Sequence, residues 1–94
     1  MNYENFNAAL THIERNPGEW DQTMGFLGHG HPCCLLGHAH RLSGHGWLDS
    51  TIKQGGYFVG ADQPMKDWIY AGERTLDEFR AVRLALATAR LIAA

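Results

Sequence analysis

Proline and glycine interrupt this chain at short intervals, and their spacing limits the length of every helix before residue 75. The run Asn16-Pro17-Gly18 ends a first helix over residues 2–15, because proline cannot continue a helix and glycine accommodates the turn. Apolar residues recur in that helix every three or four positions and therefore share one face: Tyr3, Phe6, Leu10 and Ile13. The pattern predicts an all-α chain built from short helices.

Three more short helices are predicted before residue 75, each ended by glycine. Pro32 suits the first turn of a helix, since its missing N–H would be unpaired there, and Gly44 or Gly46 closes that helix. The predicted spans are 32–43, 49–55 and 62–71, with a hairpin as the alternative for residues 47–60. The middle helix is the shortest because Gly55-Gly56 interrupts its apolar stretch.

The last helix is predicted over residues 75–92 and begins with a capping box formed by Thr75 and Glu78. Its predicted buried arc holds Phe79, Val82, Leu86 and Ala89, and an opposite, solvated arc holds Arg80, Arg83 and Arg90. Leu84 and Leu91 lie seven residues apart beside the charged arc. They are either a minor partner contact or ordinary exposed leucines.

Length and composition place these helices in one domain. A chain of 94 residues holds one core, so we expect a compact single-domain bundle of four or five short helices over residues 1–94. Its 45% hydrophobic and 19% charged residues are typical of a globular protein rather than a disordered one. Because a core of this size is limited, homodimerisation is a further expectation alongside an unknown protein partner.

Charge and cysteine usage restrict the class of partner and the compartment. The formal net charge of −2 argues against a dedicated nucleic-acid binder, which carries a strongly basic face. No apolar run approaches the ~20 residues that span a bilayer, and the first residues lack a signal-peptide pattern, so no membrane partner is expected. The two cysteines, Cys33 and Cys34, are adjacent, which excludes a disulfide framework and fits a reducing compartment. We therefore predict a cytoplasmic protein.

The stretch HGHPCCLLGHAHRLSGHG, residues 29–46, holds five of the six histidines and both cysteines. Imidazole nitrogen and thiolate sulfur are the ligands that zinc and other late transition metals prefer. Cys34 and His38 lie four apart and so share one face of the predicted helix. The candidate metal ligands, with zinc as the expected ion, are His29, His31, Cys34, His38 and His45.

The helical placement of this stretch carries two further expectations. Cys33 and His40, seven apart, form a second stripe, and Gly37 and Gly44 leave a flat strip between the stripes where another helix can approach. Both thiols fall in the first helical turn, where the helix macrodipole lowers the pKa of a cysteine. A thiolate there serves a metal ion and a nucleophile equally.

Three other interpretations of the chain stay open. Because the spacing matches no standard zinc motif, the same residues have a structural alternative, with buried cysteines and histidines as caps or surface residues. A small enzyme would use Cys34 as nucleophile and His38 or His29 as base. A nucleic-acid-associated factor would use the arginines of the last helix. We favour a non-enzymatic binding protein with a candidate metal site.

The motifs also resemble those of a group of short bacterial and phage-associated proteins of unknown function. The shared pattern is a helix ending in HIE, then W, then C-x-x-G-H-A-x-x-L-x-G, and the chain departs from it at residues 47–58. The matching residues are His12-Ile13-Glu14, Trp20, Cys34, Gly37, His38, Ala39, Leu42, Gly44, Gly60, Ala61, Gln63, Trp68, Tyr70, Gly72, Thr75, Leu76 and Phe79. The resemblance implies a shared helical fold and a phage or mobile-element origin. A cysteine at the position of His29 in such relatives implies an exchange of one metal ligand for another.

Overall fold

The computed structural model describes residues 1–28, 30–46 and 48–93. That part of the chain is helical, with no strand, and the predicted all-α bundle is confirmed. Its helices are α1 (Tyr3–Arg15), α2 (Leu35–Leu42), α3 (Thr51–Val59), α4 (Gln63–Tyr70) and α5 (Leu76–Ala93), with a 3₁₀ turn at Pro17–Glu19. Within these ranges, no helix combines the length and the apolar character needed to cross a bilayer.

Helix α1 lies at the centre of the bundle and packs against α2, α3 and α5. The side chain of Asn2 caps its first turn by accepting the Asn5 N–H at 3.0 Å. The face predicted from periodicity is the buried one, and its fully enclosed members are Phe6, Leu10 and Ile13. The periodic apolar residues of α1 therefore supply much of the core.

Helices α2 and α3 share the most extensive contact in the bundle, and glycine allows it. Gly55 and Gly56 are buried in the middle of α3. A Cβ at Gly55 would collide with the carbonyl oxygen of Leu36 in α2, and a Cβ at Gly56 would collide with the aliphatic stem of Lys66 in α4. The two glycines therefore set the distance at which α3 packs on its neighbours.

Two helix boundaries differ from the prediction. The prediction that the middle helix ends near Gly55 is wrong, because packing on α2 outweighs the low helix propensity of glycine. Helix α3 continues for four more residues and ends at Gly60, which has the left-handed φ of 70° that glycine tolerates. Helix α2 begins three residues after Pro32, because Cys34 is extended (φ −69°, ψ 175°) and acts as the cap.

Helix α5 begins with the predicted capping box. The Thr75 N–H donates to Glu78 Oε1 at 3.0 Å, and the Glu78 N–H donates to Thr75 Oγ1 at 3.2 Å. One turn later Phe79 is fully buried and packs edge-on against Phe6 of α1, with ring centroids 6.4 Å apart. This aromatic pair attaches the first half of α5 to the bundle.

The arginines of α5 pair with carboxylates of α1, so the predicted position of their arc opposite the core is wrong, although Arg80 and Arg90 are exposed as predicted. Positions 83 and 90 follow the buried position 79 by four and eleven residues, which places them on the same side of the helix. Arg83 donates to both carboxylate oxygens of Glu14, at 2.6 and 3.0 Å, and Arg80 donates to the same carboxylate at 2.9 Å. Arg90 lies 2.8 Å from the carboxylate of Glu4.

Candidate functional site

The loop before α2 is folded back onto the end of α1 by backbone hydrogen bonds. The Cys33 N–H donates to the Glu19 carbonyl at 3.0 Å, and the Asp21 N–H donates to the Cys33 carbonyl at 3.0 Å. This pairing is an isolated parallel bridge. The Cys34 N–H donates to the Met24 carbonyl at 2.6 Å. The two cysteines are therefore part of the framework that holds the loop in place.

Cys34 caps α2, since its Sγ accepts the Gly37 N–H at 3.3 Å. Both cysteine side chains are free thiols, and each is only 1% exposed. Burial raises the pKa of the Cys33 thiol to about 12 and also raises the pKa of Cys34. The prediction that the macrodipole lowers these pKa values is wrong. The free energy lost by removing a thiolate from water is larger than the stabilisation that the helix macrodipole gives it.

The absence of a side chain at Gly37 allows Cys33 and the Phe26 backbone to pack against α2, and within the described ranges no other helix lies closer there. A Cβ at this position would lie 2.8 Å from the Cys33 Sγ and 3.2 Å from the Phe26 backbone nitrogen. Gly44, the other member of the predicted glycine strip, lies in a turn with a φ of 83° and has no heavy atom within 4 Å of an added Cβ. The close helix contact is made at Gly55, so the strip prediction is wrong.

His38 is a buried link between α2 and the loop. It is 2% exposed, and its Nε2–H donates to the Glu19 carbonyl oxygen at 2.8 Å. That bond fixes the neutral tautomer, so Nδ1 carries a lone pair, for which the described part of the chain offers no hydrogen-bond partner. Burial lowers the pKa of His38, and the neighbouring His12 and Arg41 act in the same direction.

His40 is fully buried and joins three separate segments. Its Nε2–H donates to the Gly46 carbonyl at 2.9 Å, and its Nδ1 lies 3.2 Å from the Thr51 Oγ1. The same hydroxyl accepts the Phe26 N–H at 3.0 Å, which leaves its own hydrogen for His40. The His40 imidazole thus connects α2 to the turn at Gly46 and to the start of α3 at Thr51. Through the Thr51 hydroxyl it is also connected to the loop at Phe26.

Gln22 is a buried polar residue that joins distant segments, and no sequence pattern predicted its role. Its Nε2 donates to the carbonyls of Ile69 and Ala71 at 2.8 and 3.0 Å. Its Oε1 accepts the Trp20 Nε1–H at 3.2 Å and the Leu35 N–H at 3.3 Å. All four hydrogen-bonding positions of the amide are therefore used. No local sequence signal identifies such a residue, since its partners are distant in the chain.

A polar cluster lies beside His38, where α1 ends. Arg41 Nη2 lies 2.7 Å from His12 Nε2, and the same imidazole nitrogen lies 3.4 Å from a carboxylate oxygen of Glu19. The rings of His12 and His38 are 5.2 Å apart, centroid to centroid. Because a guanidinium only donates, the His12 Nε2 accepts in this arrangement. Only the HIE part of the resemblance pointed to His12.

The five predicted metal ligands differ in burial and in the bonds they make. Cys34 and His38 are internal and already hydrogen-bonded, whereas His31 and His45 are exposed. His29 lies outside the described residues. Across residues 1–28, 30–46 and 48–93, no group of three or more His, Cys, Asp or Glu side chains is arranged to hold a metal ion. A metal site that includes His29 stays a prediction.

One face of α5 is apolar and uncovered, and it lies opposite the buried Phe79. Its members, which we call the α5 stripe, are all exposed: Ala81, Leu84, Ala85, Thr88, Leu91 and Ile92. The three large side chains, Leu84, Leu91 and Ile92, are 69%, 79% and 81% exposed. Contiguous apolar residues in water mark interaction sites, whereas single ones are ordinary.

A scan of protein-family models, a search of curated proteins and a search of solved structures each gave no match to this chain. The resemblance drawn from the motifs therefore stays a prediction.

Proposed function

We propose that this protein is a non-enzymatic binding domain that recognises a protein partner through the α5 stripe. The observation that carries the proposal is the exposure of Leu84, Leu91 and Ile92 on one face of a well-formed helix. Covering these side chains removes apolar surface from water, and the bundle itself leaves them uncovered. Helix α1 supports that helix through the contact of Phe6 with Phe79 and the ion pair of Glu14 with Arg83.

The thiols and histidines support a structural interpretation of residues 29–45 over an enzymatic one. A cysteine nucleophile acts as the thiolate, and burial raises the pKa of both thiols. The candidate base, His38, donates its Nε2–H to a backbone carbonyl. These atoms hold the loop and the start of α2, and they face away from solvent.

The electrostatics of α5 favour a protein partner over a nucleic acid. Arg80 and Arg83 share the carboxylate of Glu14, and Arg90 lies against Glu4. Guanidinium groups that are already paired with carboxylates contribute little to phosphate binding, which depends on releasing counterions from an uncompensated basic surface. The net charge of −2 acts in the same direction.

A metal ion is a second proposal for the histidine segment, and one observation favours it. The Nδ1 of His38 is a buried lone pair without a partner in the described ranges, which is the kind of atom that a metal ligand presents. We propose zinc as the ion and His29 as a further ligand. Elemental analysis of untagged protein should then give close to one equivalent, and a chelator should lower the melting temperature. Substoichiometric metal with unchanged melting would contradict this proposal.

The binding proposal is tested by site-specific photocrosslinking in the host cell. A photoreactive phenylalanine placed at Leu84 or Leu91 should give a crosslinked product with a discrete protein mass. Tyr57 on α3, which is 85% exposed, is the matched control position and should give no such product. The proposed function would be contradicted if neither α5 position gave a specific crosslinked product, or if position 57 gave the same product.

A further inference from the structure

We propose that the partner covering the α5 stripe is a second copy of this chain, docked with its own α5 in the antiparallel direction. This inference rests on the proposed function, because it assigns the occupant of the same surface. Three properties of the stripe support it: spacing, size gradient and charge.

The spacing of the stripe is that of a helix pair. Positions 81, 84, 88 and 91 follow one another at intervals of three, four and three residues, which is the seam of a two-stranded coiled coil. Ala85 and Ile92 widen the seam on one side. No charged residue lies in the stripe, so a second helix can approach over about three turns without burying an ionised side chain.

The side chains of the stripe change in size along α5, and this gradient fixes the direction of pairing. The first half presents two alanines around one large residue (Ala81, Leu84 and Ala85), whereas the second half presents Thr88 and two large residues (Leu91 and Ile92). An antiparallel two-fold arrangement centred near residue 86 sets Leu91 of each copy against Ala81 of the other, and Leu84 against Thr88. Parallel pairing would stack the large residues on each other and leave a gap between the alanines. A self-complementary patch of this kind is what a two-fold dimer requires.

The arginines that flank the stripe are each paired with a carboxylate. Arg83 donates to Glu14 of its own α1 at 2.6 and 3.0 Å, and Arg90 lies 2.8 Å from Glu4 and 5.4 Å from the ring centre of Tyr3. Two copies can therefore meet without bringing free guanidinium groups face to face. Antiparallel helices also place opposite ends of their macrodipoles side by side, which is the favourable arrangement.

The area of the stripe indicates a weak, reversible dimer. Covering its exposed apolar side chains removes on the order of 400 Å² per copy from water, about half of the ~800 Å² per partner in a standard interface. Interfaces of this size belong to transient complexes. We therefore expect a concentration-dependent mixture of one and two copies rather than a permanent dimer.

Sedimentation velocity of the whole chain between about 5 and 500 µM tests the dimer, a range chosen for a transient interface. The weight-average mass should rise toward that of two copies at high concentration. The double variant Leu84→Glu/Leu91→Glu should remain a single copy throughout, with an unchanged circular dichroism spectrum. The matched control Tyr57→Glu, at an equally exposed position on α3, should dimerise like the natural chain.

Disulfide trapping tests the direction of the helices. Mixing the Ala81→Cys and Leu91→Cys variants should give the mixed disulfide in excess over both symmetric ones, and the buried native thiols do not compete.

A natural chain that stays a single copy at every concentration overturns the second-copy proposal. Crosslinks from positions 84 and 91 to a different protein would then still support the proposed function. If the chain neither self-associates nor gives such crosslinks, both the dimer and the proposed function are contradicted. Symmetric disulfides at position 91 in excess would overturn the antiparallel direction.

Discussion

The carbonyl oxygen of Glu19 accepts the Nε2–H of His38 at 2.8 Å, and it also accepts the N–H of Cys33 at 3.0 Å. One backbone oxygen thus receives a side chain from α2 and the main chain of the loop that leads into α2. Because the imidazole is buried, this bond is protected from water and its loss leaves a polar group without a partner. His38 and Glu19 are consequently the clearest test of the structural role of the histidine segment.

Replacing His38 by asparagine should destabilise the fold more than replacing it by glutamine. A glutamine amide nitrogen reaches close to the position of Nε2, whereas the shorter asparagine does not reach the Glu19 carbonyl, which then keeps only the Cys33 N–H as a donor. We expect His38→Asn to lower the free energy of unfolding by about 2 to 3 kcal/mol, measured by urea denaturation. His31→Gln, at an exposed position, is the control and should have little effect. Equal stability of His38→Asn and the natural chain would contradict the structural role.

Stability should fall as the pH drops below the ordinary histidine range, because burial lowers the pKa of His38 from 6.5. In the unfolded chain His38 takes up its proton near pH 6.5, and in the folded chain only at lower pH, so the unfolded state binds more protons in that window. The neighbouring His12 and Arg41 also lower the pKa of His38, and Glu19 opposes them. Urea denaturation from pH 7.5 to 5.5 should give a steeper loss for the natural chain than for His38→Gln. Identical slopes would exclude His38 as the source.

Most of the helices can be predicted from the sequence because their signals are local. The periodicity of Phe6, Leu10 and Ile13 and the capping box at Thr75 lie within a few residues of the helix they define. The extent of α3 cannot be predicted in this way. From the sequence alone, Gly55 is predicted to end the helix. Only the close contact with α2 explains why a glycine lies in the middle of α3.

The candidate site is less predictable than the helices because, like the extent of α3, it depends on contacts between distant parts of the chain. The density of histidine and cysteine shows which side chains have ligand-type atoms, but it does not show what those atoms face. His38 meets a carbonyl nineteen residues earlier in the chain, and Gln22 bonds to carbonyls 47 and 49 residues later. Burial then reverses the expected direction of the cysteine pKa shift. These outcomes depend on tertiary contacts that no spacing rule contains.

Adding one methyl group at Gly55 should be strongly destabilising. In Gly55→Ala the new Cβ meets the backbone carbonyl of Leu36, which cannot move without displacing α2. We expect a loss of at least about 2 kcal/mol in the free energy of unfolding. Gly18→Ala is the matched control, because no heavy atom lies within 4 Å of its added Cβ, and it should change stability by less than about 0.5 kcal/mol. Similar effects of the two substitutions would show that the helices do not meet at Gly55.

The two thiols should be nearly unreactive in the folded protein. Each side chain is 1% exposed, and burial raises the pKa of Cys33 to about 12, so the thiolate fraction near pH 8 is very small. We expect iodoacetamide to modify the native cysteines on the order of 100-fold more slowly than the urea-unfolded chain, as followed by mass spectrometry. Lys53→Cys provides an exposed thiol in the same protein and should react at an ordinary rate. Native thiols that react as fast as that control would restore the nucleophile interpretation.

Removing the charge of Glu14 should weaken the attachment of α5 to α1, and the effect should depend on pH. The hydrogen bonds from Arg83 and then Arg80 lower the pKa of Glu14 from 4.5 to about 2. Its contribution to stability is therefore fully present above pH 4.5 and is lost as the pH falls through about 2. After allowance for screening by water, Glu14→Gln should lower the free energy of unfolding by about 1 to 2 kcal/mol at pH 7. The difference from the natural chain should shrink as the pH falls below 4.5. Glu73→Gln, at an exposed position, is the control, and a pH-independent loss in Glu14→Gln would assign the effect to packing instead of charge.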